Sequence, residues 1–203
     1  MEEKIILEKF KQWAGNLSPE EARIAVFEHV RDIPYAIIPE LRDPHRGPAG
    51  ILEYNKGSCQ PKHYLMGLLF TKLAIPIKYV TYPFKWGSEG RPVKYPDDLR
   101  SMFKGLPAAY HLALKAYIDG RWVLVDATYD PALKKADFPV NEKWDGKSDT
   151  LNAVTPQEEI IHNSVEERVS LETQRKSLQS DKEKAAYAEF VDRLNKWLVE
   201  LRQ

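Results

Sequence analysis

The single cysteine of the sequence, Cys59, lies where a thiol can become a nucleophile. Gly57 is typical of a turn, and Pro61 suits the first turn of a helix because its missing N–H costs nothing there. The apolar residues within 64–73 then predict a largely buried helix that begins near Cys59. The dipole and free N–H groups at a helix N-terminus favour a thiolate and can hold a developing oxyanion. Because a lone cysteine of this kind is more often an inert core residue, catalysis requires partners.

A β-hairpin predicted further along the chain carries a histidine and an aspartate. Residues 111–118 and 121–126 are separated by Asp119-Gly120, a strong signal for a two-residue turn. This turn pairs the residues on either side of it, and the register then places His111 diagonally beside Asp126 on one face. Diagonal side chains on one face are within reach of each other, so we expect an imidazole–carboxylate hydrogen bond.

Cys59, His111 and Asp126 have the residue types of a nucleophile, a base and an orienting carboxylate. Imidazole titrates near neutral pH, and an acceptor on its second nitrogen fixes its tautomer and orientation. The hairpin register supports the contact between His111 and Asp126. No periodicity in the sequence brings Cys59 to His111, so that contact depends on the fold.

The composition indicates a globular protein of 203 residues, with 43% hydrophobic and 30% charged residues. We expect one domain over residues 1–203, with a core at about residues 18–154 and a C-terminal helical extension over residues 155–203. Lys+Arg and Asp+Glu are both 30, and the lack of a basic surplus argues against a nucleic-acid-binding protein. One cysteine, no apolar leader and no apolar run of about 18 residues predict a cytoplasmic protein with no membrane partner.

The segments on either side of the cysteine helix predict further elements. Helical spacing over residues 2–14 and a capping box that begins at Ser18 predict two N-terminal helices. Residues 33–50 are rich in proline and predicted to be irregular, whereas residues 75–82 alternate as a strand does. Residues 83–107 form a long connection, for which a binding loop and a surface excursion are equally open.

The last quarter of the chain is predicted to be helical. Thr155-Pro156-Gln157-Glu158 has a capping-box pattern, which predicts that the chain turns helical at residue 155. Residues 181–202 form an amphipathic helix. Its apolar seam would dock either on the core or, in a homodimer, on a second subunit.

The segments that carry the three polar residues resemble the transglutaminase-like superfamily. The resemblance spans about residues 51–128 and rests on Gly57-Ser58-Cys59 before an apolar helix, a strand that begins with His111, and Gly120-Arg121-Trp122-Val123-Leu124-Val125-Asp126. It implies an α+β, papain-like core in which a central cysteine-bearing helix packs on an antiparallel sheet, flanked by helices from both ends of the chain. Leu112-Ala113 after His111 and Ala127 after Asp126 depart from the residues common in the family, which leaves the substrate class open.

The resemblance implies nucleophilic acyl transfer at a carboxamide or peptide bond, on a peptide, protein or other amide substrate and without a cofactor. The family includes peptidases, transglutaminases and relatives that have lost activity, so a catalytically inactive binding module is the alternative. The backbone N–H of Cys59 and a side chain from before the helix would hold the oxyanion, with Tyr35 as the first side-chain candidate and Asn55 as the second. The candidates for substrate binding are Gln60, His63 and Trp86.

A metal site is a weaker alternative. Its ligands would be Cys59 and His63, four residues apart on one helix face, with Asp126 or His111. Two ligands at this spacing are a weak signal, and no second Cys/His pair accompanies them, so we expect no metal. His63 would then be a polar residue at the edge of the pocket or a core histidine with both nitrogens satisfied.

Overall fold

The fold is built on a four-stranded antiparallel sheet, described by a computed structural model that covers residues 2–88 and 92–203. The strands follow the order β3-β2-β1-β4 across the sheet. They are β1 (Ile77–Phe84), β2 (Ala109–Ile118), β3 (Arg121–Val125) and β4 (Ile160–His162). The combination of this sheet with helices from both ends of the chain confirms the α+β prediction.

Seven α-helices surround the sheet within these ranges. They are α1 (Glu2–Ala14), α2 (Pro19–Asp32), α3 (Gly47–Tyr54), α4 (Cys59–Lys72), α5 (Asp97–Met102), α6 (Val165–Ser177) and α7 (Asp181–Arg202). The predicted capping box at Ser18 is present, and α7 has a second one that begins at Ser180. Over the residues described, no helix is both long enough and apolar enough to cross a bilayer.

The β2–β3 hairpin has the predicted register. Ile118 pairs with Arg121, and the turn residues Asp119 and Gly120 have φ values of 51° and 82°. Two consecutive positive φ values are what a type I′ turn requires, and this turn matches the twist of the strands. The ladder ends where Val125 pairs with Leu114, one residue before the predicted end of the strand.

Both faces of the sheet are buried. One face packs on α4 in a core that includes Leu65, Leu69, Tyr79, Leu112 and Leu114. The other face lies in a second core that includes Val80, Ala113, Phe190 and Leu194, in which α7 packs against α5 and the 3₁₀ turn Pro131–Ala136. The cysteine-bearing helix therefore packs on the sheet as predicted, and the seam of α7 is docked on the same chain.

A close backbone approach fixes the loop that leads into α4. Gly57 donates its N–H to the carbonyl of Pro34 at 3.0 Å and accepts the Ala36 N–H at 3.2 Å. A Cβ atom at Gly57 would lie 2.6 Å from Ile51 Cδ1, so only glycine fits between these neighbours. This contact places Tyr35 beside the start of α4.

The segment after residue 154 shows where local pattern and tertiary structure disagree. The prediction of helix from Thr155 is wrong, because the N–H groups of Thr155 and Gln157 donate to the carbonyls of Ser88 and Pro83. These bonds tie the segment to the end of β1, where the following residues pair with β1 as β4. Tertiary hydrogen bonds thus outweigh the capping-box pattern. The proposed division between a core and a helical extension stays a prediction.

Three other predicted boundaries differ from the structure. The strand predicted over residues 75–82 runs from 77 to 84, after a turn in which Ala74 has a φ of 56°. Residues 33–50 are less irregular than predicted, because they contain a 3₁₀ turn, Pro39–Arg42, and the start of α3, with Pro48 in its first turn. The connection over residues 83–107 contains α5, and its residues 89–91, which include Gly90, lie outside the described residues.

Packing of α7 in the second core generates a stability prediction. Phe190 has no exposed surface, and Phe190→Ala should lower the free energy of unfolding by about 3–5 kcal/mol because it leaves a cavity. Val199 on the same helix is 58% exposed, and Val199→Ala should change that free energy by less than about 0.5 kcal/mol. Urea unfolding at pH 7 measures both variants. Equal stability of the two would contradict the docking of α7.

Candidate active site

Cys59 is the first residue of α4 and lines a narrow cleft of about 80 Å³. Its side chain is half-buried, and its sulfur is hydrogen-bonded to the imidazole of His111. The contact forms where β3 has ended, because β2 has an open edge before Leu114. At that edge the backbone N–H of Leu112 also donates to the cysteine sulfur. The fold thus supplies the contact that no sequence pattern could predict.

The second nitrogen of His111 is bound to Asp126. His111 Nε2 lies 2.7 Å from Asp126 Oδ2, and both side chains are buried. Since Nε2 is occupied by the carboxylate, the hydrogen bond to Cys59 is made by Nδ1. The ring of His111 is stacked on Tyr82, its partner in the β1–β2 ladder, at a centroid distance of 6.2 Å. Its orientation is therefore fixed by a hydrogen bond at each ring nitrogen and by the ring contact with Tyr82.

Backbone N–H groups hold the carboxylate of Asp126. Asp126 Oδ2 also accepts the Ala153 N–H at 2.8 Å, and Oδ1 accepts the Thr128 N–H at 3.1 Å. The loop that supplies Ala153 is fastened to β3, since the Thr150 N–H donates to the carbonyl of Leu124 at 3.0 Å and Asp149 accepts the Leu124 N–H at 2.6 Å. These bonds replace the hydrogen bonds with water that the carboxylate oxygens lose when they are buried.

The charges of the three groups stabilise one another. Burial raises the pKa of the Cys59 thiol, but the hydrogen bond and positive charge of His111 outweigh burial and bring the pKa below its ordinary value. Burial lowers the pKa of His111, but the charge and hydrogen bond of Asp126, with the bond to Cys59, raise it to about 10. Burial raises the pKa of Asp126, yet His111 holds it well below its usual range. At neutral pH these shifts favour a thiolate–imidazolium pair.

His63 supports the site and is not a pocket residue, which corrects its prediction as a substrate-binding residue. It is fully buried and does not line the cleft. Its Nδ1 lies 2.8 Å from the carbonyl of Cys59, and its Nε2 accepts the Ala127 N–H at 3.1 Å. Burial is the main reason that its pKa is lowered to about 4. A neutral imidazole therefore joins the start of α4 to the residue after Asp126, and neither nitrogen is left for a metal.

A buried lysine, one position before His63, also binds the segment that follows Asp126. Lys62 has no exposed surface, and burial lowers its pKa to about 7. Its ammonium group donates to the carbonyls of Arg31 at 2.9 Å, Ala127 at 3.3 Å and Thr128 at 2.8 Å. The C-terminus of α2 is thereby tied to the segment that follows Asp126. No sequence pattern predicts this role, since a lysine in a helix usually faces solvent.

The other predicted site residues divide into two groups. Tyr35, Gln60 and Trp86 all line the cleft beside Cys59, and their roles in binding stay predictions. Asn55 is exposed and does not line the cleft, so its prediction as an oxyanion donor is wrong. Its left-handed conformation, with φ at 49°, explains its residue type instead, because asparagine is tolerated where a helix such as α3 ends.

The wall of the cleft opposite Cys59 was missed by sequence reasoning. Helix α6 contributes Arg168, Glu172, Arg175 and Lys176, and α7 contributes Tyr187. The charged residues recur at i, i+4, i+7 and i+8, which is the spacing of one helix face, and this regularity was the available signal. Helix α7 therefore reaches the cleft through Tyr187, in addition to docking its apolar seam on the core. Among residues 2–88 and 92–203, no group of three His, Cys, Asp or Glu side chains is arranged to hold a metal ion.

Comparisons with known proteins agree with this arrangement at the level of the family. The family model of the transglutaminase-like superfamily matches residues 9–127, which is more than half of the chain. A solved structure of a provisionally named cysteine protease from Cytophaga hutchinsonii is similar at 18% sequence identity and a TM-score of 0.42. The similar region covers 63% of this chain and 37% of that protein, so the chain spans little more than a third of its length. No curated protein matches the chain.

The buried His63 predicts a loss of stability in acid. In the unfolded chain its pKa is about 6.5 and in the fold about 4, so unfolding takes up a proton between these values. Its contribution to stability is therefore complete above pH 6.5 and is lost as the pH falls, by about 3 kcal/mol at pH 4. His63→Gln keeps one donor and one acceptor but does not titrate. Between pH 7 and pH 4, the native protein should lose about 3 kcal/mol more of its free energy of unfolding than the variant.

Urea unfolding of both proteins at the two pH values makes this comparison. The variant also serves as the control for every other acidic or basic group in the chain, because those groups titrate in both proteins. Equal losses of stability would show that His63 is protonated in the folded protein.

Proposed function

The chain belongs to the transglutaminase-like superfamily, and from this membership we propose that it is an enzyme of cysteine-based acyl transfer that acts on a carboxamide or peptide bond. Cys59 is the nucleophile, His111 the general acid–base and Asp126 the residue that orients the imidazole. The observation that carries the proposal is the continuous chain of hydrogen bonds from Cys59 through His111 to Asp126. Nucleophile, base and orienting group are the minimum set for this chemistry.

The first half of the reaction forms an acyl-enzyme. The thiolate of Cys59 attacks the carbonyl carbon, and a tetrahedral intermediate with a negative oxygen forms. The N–H of Cys59 belongs to the first turn of α4, which has no acceptor within the helix, and it can donate to this oxygen. His111 then transfers its proton to the leaving amine or ammonia, and the carbon–nitrogen bond breaks.

The second half returns the enzyme to its starting state. An acceptor with an N–H or O–H bond gives its proton to His111 and attacks the thioester carbonyl. Collapse of the second tetrahedral intermediate releases the thiolate of Cys59 and the acyl product. Water as acceptor makes the enzyme a hydrolase, and an amine makes it a transglutaminase. Product analysis with glutamine-containing peptides, in the presence and absence of a primary amine, separates the two reactions.

Reactivity of Cys59 tests the nucleophile directly. The pH profile of alkylation by iodoacetamide should have a midpoint well below the value of about 8.5 of an ordinary thiol. His111→Ala should move that midpoint up toward about 8.5, because the imidazolium that stabilises the thiolate is gone. Asp126→Asn should leave Cys59 open to alkylation but reduce turnover by two or more orders of magnitude, because the imidazole loses its orientation.

His45→Ala is the control for the removal of a histidine, since His45 is exposed and does not line the cleft. The control should keep the profile of the native protein. If folded Cys59 resists alkylation across the pH range while the urea-unfolded chain reacts, the cysteine is inert. The protein would then be a binding module on a transglutaminase-like fold.

A further inference from the structure

The cleft beside Cys59 contains a surplus of positive charge. Its walls carry the side chains of Arg42, Arg168, Arg175 and Lys176, and Glu172 is the one carboxylate among the residues that line it. Since the Cys59 thiolate, the His111 imidazolium and the Asp126 carboxylate together carry one negative charge, the four cations and Glu172 leave a formal excess of two positive charges. The chain as a whole has a net charge of zero, so the rest of the chain carries the matching negative charge. The surplus is therefore local to the cleft.

Several of these cations have buried donors without partners. Arg168 is 1% exposed, yet its Nε and Nη1 make no hydrogen bond, and Nη1 has only an ion-pair contact with Glu172 at 3.3 Å. The Nε atoms of Arg42 and Arg175 are buried and unpartnered as well. Over residues 2–88 and 92–203, every buried side-chain nitrogen or oxygen that lacks a partner belongs to a residue of this cleft. Such clustering is unusual, because folded proteins rarely bury polar groups unpaired.

Glu172 cannot satisfy these donors by itself. It already accepts a hydrogen bond from Gln60 and an ion pair from Lys176 at 2.9 Å, in addition to its contact with Arg168. A buried N–H donor without an acceptor costs free energy, which a negatively charged acceptor in the cleft would recover. The cleft thus has the properties of an anion-binding site, because it contains positively charged donors that make no hydrogen bond within the protein.

We propose that this cleft binds a carboxylate of the substrate, so that the amide attacked by Cys59 belongs to an anionic peptide. The planar guanidinium groups match a carboxylate through paired N–H donors, whereas a neutral or basic group would leave them unpaired. The carboxylate is either an acidic side chain or the C-terminal α-carboxylate of the peptide. The inference deepens the proposed function and rests on it for the reaction, but the charge of the cleft is an independent observation.

Most of the cationic wall lies outside the segment that matches the family. The match ends at residue 127, whereas α6 begins at Val165. The preference for anions is therefore a property of this chain and does not follow from membership of the superfamily. Arg42, from the turn before α3, completes the wall within the matched segment.

Two alkylating reagents test the charge of the cleft at the cysteine itself. Iodoacetate and iodoacetamide react in the same way: the sulfur–carbon bond forms as iodide leaves, and only the carboxylate or carboxamide differs. At low ionic strength, the rate ratio of iodoacetate to iodoacetamide for folded Cys59 should exceed that of the urea-unfolded chain by roughly tenfold or more. Added salt should reduce the ratio.

Variants assign the effect to the cleft. Arg175→Gln and Lys176→Gln should each lower the ratio severalfold; Lys176 is exposed and Arg175 is half-buried, so neither change leaves a cavity in the core. Glu172→Gln should raise it, because the cleft loses its carboxylate. Arg100→Gln is the matched control, since Arg100 is an exposed arginine of α5 that does not line the cleft, and it should leave the ratio unchanged.

The outcomes separate this inference from the proposed function. If iodoacetamide reacts readily below neutral pH but the ratio equals that of the unfolded chain, the cleft does not select anions and the nucleophile stands. If neither reagent reacts with the folded protein, the proposed nucleophile fails.

Calorimetric titration of the Cys59→Ser variant then measures whether the cleft binds anionic peptides, without any reaction at the cysteine. The probes are three pentapeptides of equal length: a neutral one blocked at both ends, one blocked at both ends that contains a glutamate, and one blocked only at its N-terminus, with a free C-terminal carboxylate. One of the two anionic peptides should bind about tenfold more tightly than the neutral one, and its identity names the source of the carboxylate. Equal affinities, or no binding by either anionic peptide at millimolar concentration, would overturn the proposal.

Discussion

The hydrogen-bonded ion pair of His111 and Asp126 sets the conditions that the surrounding structure must meet. Removing each charge from water costs on the order of several kcal/mol of solvation free energy. The attraction between the two charges offsets this cost only when their remaining polar atoms also have hydrogen-bond partners. The N–H groups of Thr128 and Ala153 complete the carboxylate, and Cys59 takes the other nitrogen of the imidazole. Two loops and the start of α4 thus converge on one salt bridge.

Neutral and cationic groups around this pair have a mechanical role. His63 and Lys62 lie next to each other on α4, and both bind backbone atoms of the segment that follows Asp126. Their pKa values are lowered to about 4 and about 7, because burial disfavours their charged forms. Burial of these side chains also fixes the backbone atoms that they bind. The nucleophile and the carboxylate are therefore held by the same helix, even though 66 residues separate Thr128 from Lys62 in sequence.

The features that the sequence predicted well are those decided by neighbouring residues. The Asp119-Gly120 turn fixed the hairpin register, and an apolar seam over 22 residues fixed the bounds of α7. The features that were missed depend on residues distant in sequence. β4 forms because it pairs with the edge of β1, and α6 contributes to the site because the fold brings its charged face to the cleft that Cys59 lines. Asn55 was misjudged because its proximity in sequence to Cys59 concealed a local backbone role.

The loop that supplies Ala153 to the carboxylate has a second effect on the molecule. Its bonds to Leu124 occupy backbone groups of β3, the outer strand on that side of the sheet. An outer strand with free N–H and C=O groups is a template on which other chains add and aggregate. The same loop thus orients a carboxylate through one set of hydrogen bonds and protects the sheet from self-association through another. Damage to this loop would make loss of activity and loss of solubility appear together.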